Sequence, residues 1–546
     1  HVASPSQIAQ WAEEHPARER IEQLPQVIAG KKSKQYQAFS GGVALFEASM
    51  QMRWQEVLDA VSANGLTVGL DPDTDGVALL SRGDSGVVSK LFQTLASTAK
   101  VLGNQNAEID QSEYLNYPVL AINQVKVAQL DDWIVVTNKP QLGKQIVDRY
   151  HAIANGSTAP GSRLGDVENY RLAKQSHSSS NNWLFMDIER IRQSGAAPEL
   201  YSGRTENILA EALVGGLFSV LQETPYATAK LKFDETAIDL SVTLPTQPEW
   251  LQSRAYSFAG GDHTAPTHLD AKNRLASFTA YRDLSEMWLR AGDYLTDKAA
   301  DELAVADATL STFFAGRDFG VDILGAFEPG VQLIASRQAF PSSSPQPAIK
   351  LPQFALQFTM KNPDFMRGEM RRVFISLFGF LNVIGAMEKQ PQLDFAMETF
   401  EGDVELISTY YLPPSQDETL PGRSFAEAPI NYNFTPTIAF RDDKLIVSST
   451  RQLATELATT PNEQSSGSAV NAQLVLNTEV GREILEDNRN QLVTQNMLEN
   501  GHSSEAAEAE IGLLLSLVEL FRESSLTVEA PHKNATVIEL HLGVAH

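Results

Sequence analysis

The chain has 546 residues, with 43 Lys and Arg against 68 Asp and Glu and a formal charge of −25. That balance argues against nucleic acid as a partner, which needs basic patches to neutralise phosphate, and against docking on anionic lipid. A hydrophobic share of 42% with 20% charged residues excludes global disorder, and the lack of any cysteine removes disulfides, Cys-ligated zinc, iron–sulfur centres and thiol nucleophiles together.

Residues 1–35 read as an N-terminal helical segment, with Ile8, Trp11 and Ala12 at helical spacing after Ser6. A first α+β repeat is expected over 36–244. In it Gly42–Glu47 reads as a strand and Met52–Ala63 as a helix. Leu66–Leu70 and Val77–Ser81 read as strands around the turn Asp71–Gly76, and Ser85–Leu102 as an amphipathic helix. Tyr117–Ile122, Val125–Leu130 and Trp133–Thr137 are strands whose joins are short enough to force antiparallel pairing. Leu142–Arg149 and Ile208–Leu221 read as helices, Trp183–Asp187 as a strand, and Ala227–Phe233 with Ala237–Thr243 as a hairpin. A Pro/Gly-rich linker is expected over 245–270, and a second α+β repeat over 271–546. The most apolar stretches, Val373–Met387 and Ile511–Phe521, fall short of the roughly 20 residues of a membrane-spanning helix. They read as buried helices, so no transmembrane segment is expected in the mature chain.

The second half repeats the first. Asp131, Asp132, Val136, Gln141 and Leu142 align without a gap to Asp442, Asp443, Val447, Gln452 and Leu453. Leu184–Glu189 matches Leu474–Glu479, Leu217–Glu223 matches Leu517–Glu523, and Thr236, Ile238 and Leu240 meet Thr536, Ile538 and Leu540. Three segments in one order at similar offsets indicate duplication. The fold class expected is therefore α+β, two duplicated lobes, each an antiparallel sheet with helices packed on one face. Val136 and Val447 are expected at equivalent buried positions. The helix after Asn362-Pro363 is expected to bury Phe374, Leu377 and Leu381 against the second sheet and Phe380 against another element.

Few residues carry candidate chemistry. Asp71, Asp73 and Asp75 before Gly76 match the first half of a calcium-binding EF-hand loop, but position 12 is Arg82 rather than Glu, so a plain hairpin loop is the preferred reading. Asp262, His263, His268 and Asp270, within nine residues of the linker, are a second candidate metal set, for zinc or another divalent ion. Beyond calcium at the first loop and that linker set, no cofactor is expected. Gly83-Asp84-Ser85-Gly86 resembles a serine-protease loop in spelling only. No suitable His motif precedes it, and Asp84 or Ser85 reads as a helix cap. Glu398 and Glu401 could pair as acid and base, although acidic turn residues usually serve solubility. Trp133, Trp183 and Trp288 read as core residues, and Trp11, Trp54 and Trp250 as nearer element ends.

The runs Asp132–Leu142, Arg163–Lys174 and Trp183–Arg192 resemble uncharacterised exported bacterial proteins of planctomycete type, related to a domain-of-unknown-function family. The likeness covers Leu66–Arg192, and more faintly Leu275–Arg337. It implies export and transfers no catalytic residue. It agrees with the lack of Cys and with a first residue, His1, that is not Met, as after removal of a leader or in an internal piece. The function expected is a non-enzymatic extracytoplasmic scaffold or binding protein in a bacterial envelope or extracellular assembly, with a protein partner or self-assembly. The alternatives are a hydrolase of polysaccharide or peptide using carboxylates from both halves, and a carrier of an apolar ligand held between sheet and helices.

Overall fold

The computed structural model describes residues 1–71, 74–102, 109–158, 163–176, 182–195, 197–259, 265–340, 346–387, 392–400, 402–411, 430–460, 470–532 and 534–545. The protein is α+β, with antiparallel strand pairing and two lobes. Two compact units divide the chain, His1–Ala196 with Pro225–Thr243 and Val544–His546, and Ala197–Thr224 with Leu244–Gly543.

Unit 1 begins with helices α1 (Pro5–Glu14), α2 (Lys34–Met50) and α3 (Trp54–Val61). Strands β1 (Leu66–Asp71) and β2 (Gly76–Arg82) lead into α4 (Ser85–Leu102). Then come β3 (Ile109–Tyr114), β4 (Tyr117–Ile122), β5 (Val125–Leu130), β6 (Trp133–Thr137) and α5 (Pro140–Ala154). The sheet order is β1-β2-β6-β5-β4-β3. Helices cover both of its faces. Ile134, Val127 and Leu120 pack with Val88 and Phe92 of α4, whereas Val135 and Ala128 pack with Val147 of α5. Strands β7 (Trp183–Asp187), β8 (Tyr226–Phe233) and β9 (Ala237–Pro245) form a further antiparallel run. The segment Gly42–Glu47, expected as a strand, lies inside α2. Ser33 caps that helix by accepting a hydrogen bond from the Tyr36 N–H at 3.2 Å, and Met50 is fully buried at its end, with Phe46 beside the same core. Burial on this face outweighs the cost of two helical glycines.

Unit 2 holds α6 (Ile208–Glu223), β10 (Arg274–Ala280), β11 (Val331–Ser336), β12 (Gln353–Thr359) and α7 (Pro363–Met387). There follow β13 (Leu393–Phe400), β14 (Val404–Tyr411), β15 (Thr437–Arg441), β16 (Lys444–Ser448), α8 (Arg451–Thr459), β17 (Val470–Leu476), β18 (Phe521–His532) and β19 (Ala535–Val544). The strands run β13-β14-β15-β16-β12-β11-β10-β17-β18-β19.

The six strands β11-β12-β16-β15-β14-β13 repeat the order of unit 1, and their registers repeat as well. Leu79 pairs with Val136 and Val136 with Val127; Leu356 pairs with Val447 and Val447 with Ile438. The matched Asp131 and Asp442 open two-residue hairpin loops with φ of 54° and 48°, which Asp tolerates. Leu142 and Leu453 are buried in α5 and α8. Val2 bridges Leu66 and Asn182 as Ala280 of β10 pairs with Val331 and Ala472, so one residue does in unit 1 what ends a seven-residue strand in unit 2.

Val136 and Val447 occupy equivalent positions but are not both buried. Val136 is half-buried and Val447 is 39% exposed. In unit 1 α4 and its neighbours pack beside this position. In unit 2 the helix that follows β12 diverges. The first half of α7 is docked: Met366 and Phe374 are buried, Arg371 pairs with Glu405, and Arg367 donates to the Asp442 carbonyl at 2.8 Å. The second half is uncovered, which corrects the expected burial of Leu377, Phe380 and Leu381. Val383 and Met387 beyond them are 63% and 83% exposed. Replacing Phe374 by Ala should cost about 3–5 kcal/mol in urea unfolding, and replacing Phe380 by Ala should change stability by no more than about 0.5 kcal/mol. Equal costs would contradict this division of the helix.

Candidate functional site

An antiparallel sheet with one solvated face ordinarily turns its polar residues outward. Unit 2 does the reverse along much of its width. In β12 the alternating Gln353, Ala355 and Gln357 are buried, whereas Phe354 is 48% exposed and Leu356 half-buried. The inward polar groups are satisfied. The Gln357 amide donates to Gln332 Oε1 at 3.0 Å, Gln332 to the Thr267 carbonyl at 2.6 Å, and Gln353 to Ser336 Oγ at 3.0 Å, while the Thr450 hydroxyl donates to Gln353 Oε1 at 2.6 Å. Loop residues near 267 and the start of α8 therefore bury this face at little cost, because each desolvated amide keeps its partners.

The opposite face carries one unbroken apolar row. Leu526, Leu474, Phe278, Leu333, Leu356, Val447, Ile438, Ile407 and Met397 are cross-strand partners in succession from β18 to β13. Ile438 and Ile407 are buried in the core that includes Phe374 of α7. Leu526, Leu474, Val447 and Met397 are exposed, and the uncovered half of α7 adds more apolar surface to the same unit. Val373–Met387 carries no charge, and its one amide, Asn382, is tied to the backbone of Leu393 through both its nitrogen and its oxygen. By length and composition α7 could cross a bilayer, and 6% of its apolar window is buried. In unit 1 the corresponding row is Val68, Leu79, Val136, Val127 and Leu120, with Gln111 at its edge. Val68 and Leu70 of β1 are exposed there too.

Of the sequence-derived metal candidates, Asp71, Asp75, His268 and Asp270 lie among the described residues. Asp73 lies outside the described residues. Asp71 accepts from the Thr74 hydroxyl at 2.6 Å, and Asp75, with φ 51°, stands 3.8 Å from Lys139. Asp262 and His263 lie outside the described residues. His268 is exposed, and Asp270 pairs with Arg274 at 3.3 Å. No group of three metal-ligating side chains occurs among the described residues. Asp84 caps α4 through the Val87 N–H at 2.9 Å. Glu401 lies outside the described residues, and Glu398 is paired with Arg451.

Two cavities are lined by described residues of unit 1. A groove of about 660 Å³ lies beside Trp11, Phe233, Lys230 and Asp239. Trp11 packs there on Phe233 at 5.2 Å between ring centres and donates its indole N–H to the Asp234 carbonyl at 2.8 Å, so the ring is already used to fasten α1. The second, of about 330 Å³, lies between α5 and strands β3 to β6.

Sequence reasoning missed a buried ionic cluster in unit 2, whose members lie far apart in the chain. Glu211 of α6 is fully buried. It accepts from Arg254 Nε at 2.6 Å, Arg254 Nη2 at 3.3 Å and the Tyr256 hydroxyl at 2.7 Å. A Cβ on Gly215 would sit 2.0 Å from the Glu211 carboxylate, which accounts for a glycine one turn along. Arg282 donates only to carbonyls, those of Ala212, Leu213, Ser257 and Tyr281. Burial pulls its pKa down to about 10, against the opposing charge of Glu211. Burial raises the phenols of Tyr256 and Tyr294, the former also through its bond to Glu211. A carboxylate holding three donors is an anchor rather than an acid or base. Arg254→Met should cost about 3–5 kcal/mol, because it strands a buried charge. Unfolded tyrosines lose their protons from about pH 10 while these two keep theirs. The native state then binds more protons, and stability falls as pH rises past that point. The lowered Arg282 acts in the opposite sense, one group against two. Melting temperature followed above pH 10 should decline, and a rise would contradict the assignment.

No family model matches the chain, and no curated protein matches it. Two solved structures similar to it are crystal forms I and III of TP0453, each at 10% identity. Form I covers 45% of this chain and 82% of its own with a TM-score of 0.22. Form III covers 42% and 81% with a TM-score of 0.21. Likenesses of that size carry no argument about activity.

Proposed function

We propose that this chain is a non-enzymatic extracytoplasmic binding protein of a bacterial envelope, and that it works by holding an apolar partner surface. The observation that carries the reading is the apolar row of unit 2, nine strands wide and uncovered at several of its positions. Exposed apolar positions gathered in one row mark an interaction surface on a folded protein. The glutamines of β12 and β11 are buried and hydrogen-bonded, so the outward face is a consequence of how the sheet is covered. Location outside the cytoplasm belongs to the same proposal. Its supports are the cysteine-free composition and the resemblance of Leu66–Arg192 to exported proteins. A protein partner or a second copy fits the row better than anionic lipid does, given the net charge of −25.

The full chain should bind anilinonaphthalenesulfonate, be retained on an octyl matrix at low salt, and elute above monomer size at high concentration. The variant V447T/L474T/L526T keeps β-forming residues at three exposed positions of the row and should lose most of the dye binding and retention without a change in fold. A wild-type chain that binds no dye and stays monomeric would overturn the proposal, as would a triple variant indistinguishable from wild type.

A further inference from the structure

The duplication supplies an internal control for the smaller cavity of unit 1. Its floor is Val119, Ala128 and Val135 from adjacent strands, and its roof is Gly143 and Val147 of α5. The matching registers of unit 2 put Leu406, Ala439 and Ile446 at the floor and Ala454 and Ala458 of α8 at the roof, all of them no more than 1% exposed. Three of the five positions are larger in unit 2 and one, Ala458 against Val147, is smaller, and all five are closed to solvent there. The rim differs in the same direction. In unit 2 Arg451, the first residue of α8, pairs with Glu398 of β13 across the mouth. The equivalent residues of unit 1 are Pro140 and Ser112, which cannot form that bridge, and both line the opening.

Two cations stand at this slot. Lys126 of β5 is half-buried where unit 2 has the buried Thr437. Lys144 of α5 lies 5.6 Å from the ring centre of Tyr114. The Lys126 ammonium donates to the Asn123 carbonyl at 3.4 Å. Neither lysine has a carboxylate within ion-pair distance among the described residues, in a chain with 68 acidic residues. Asp110 and Glu113 also border the cavity, from the exposed edge strand β3. Asp110 and Lys126 flank Ala121 in one cross-strand row, two strand spacings apart, roughly 9–10 Å between backbones. Both lysines and both edge carboxylates line the slot, and of the four Lys126 alone is half-buried, beside the apolar floor. An open slot of about 330 Å³ with an apolar floor and a polar, charged rim fits a small amphipathic ligand.

We propose that unit 1 carries a site for an amphipathic carboxylate between α5 and strands β3 to β6, its apolar body on Val119, Ala128 and Val135 and its anionic group on Lys126 and Lys144. The site is independent of the apolar row of unit 2.

The test uses the full chain and calorimetric titration with decanoate below its micelle concentration, with decylamine and decanol as controls. Decanoate should bind saturably at a single site, about tenfold or more tighter than either control. K126M/K144M keeps the apolar lining and should erase the preference for decanoate over decanol. V119L/V135I/T137S/G143A installs residues that unit 2 already uses at the same registers, and it should abolish binding. S112E/P140R rebuilds the outer ion pair from the rim and should weaken binding as well, which keeps the test decisive if the quadruple variant unfolds. V447T/L474T/L526T should bind decanoate as wild type does, separating this site from the proposed interaction face. No saturable binding, equal affinity for decanoate and decanol, a preference for decylamine, or wild-type binding by a folded filled or bridged variant would each overturn the assignment.

Discussion

The strict alternation of side chains along β-strands is the constraint on which the rest of this molecule depends. Once registers are fixed, a residue's face is fixed, and a slip of one residue would exchange the two faces completely. In both units the register of the central hairpin is set by a two-residue Asp-Asp loop whose first residue has positive φ. From that point the cross-strand row runs through Val136 in one unit and Val447 in the other. Every helix that follows covers, or fails to cover, a face already decided by those turns. The buried glutamines and the outward leucines of unit 2 are two aspects of one register. Covering the glutamine face requires that each amide find partners, and Ser336, Thr450 and the Thr267 carbonyl provide them.

The duplicate units have used the same sheet differently. Unit 1 covers the centre of its row with α2, α3 and α4 around Leu120, Val127 and Ile134, and keeps a cavity on the other face beneath α5. Unit 2 fills the space beneath α8 with Leu406, Ile446 and Leu453, and leaves much of its row uncovered. The divergence runs through small changes at matched positions. Ala454 against Gly143 and Leu406 against Val119 add bulk in unit 2 and Arg451 against Pro140 adds a bridged rim, while Ala458 against Val147 gives some of that bulk back. Because interiors are packed close to crystal density, one or two methylenes at such positions decide whether space remains.

Much of the duplication was legible in the sequence, because its signals are local. The Asp-Asp turns, the leucines of α5 and α8, and the capping residues Asp187 and Asn477 at the starts of matched helices all stand at fixed distances from their strands. What periodicity cannot show is which face of an alternating strand is covered. In Gln353-Phe354-Ala355-Leu356-Gln357 the alternation defines two faces, but the partners that cover the glutamine face come from Thr267 and Thr450, each far away in sequence. The same limit explains α7. Its composition marks it as apolar, but only the docked ion pair to Glu405 and the buried Phe374 show where the support ends. The Glu211 cluster was illegible for a related reason: Glu211, Arg254, Tyr256 and Arg282 match no motif and meet only through the folding of unit 2.

An exposed apolar row on a strand array is ordinarily an aggregation hazard, which natural sheets blunt with charge. Here the charge is global. A net −25 spreads acidic groups over the molecule, and like-charged copies repel at long range, which keeps such a protein dispersed at low ionic strength. Repulsion of this kind is screened beyond about 10 Å at moderate salt, whereas burial of apolar area is not. The two effects therefore divide the work by distance: charge opposes indiscriminate approach, and the row acts only on a surface shaped to meet it. A partner offering basic residues around an apolar patch would satisfy both terms, whereas a second copy of this acidic chain would meet the row at high concentration or where salt screens the repulsion.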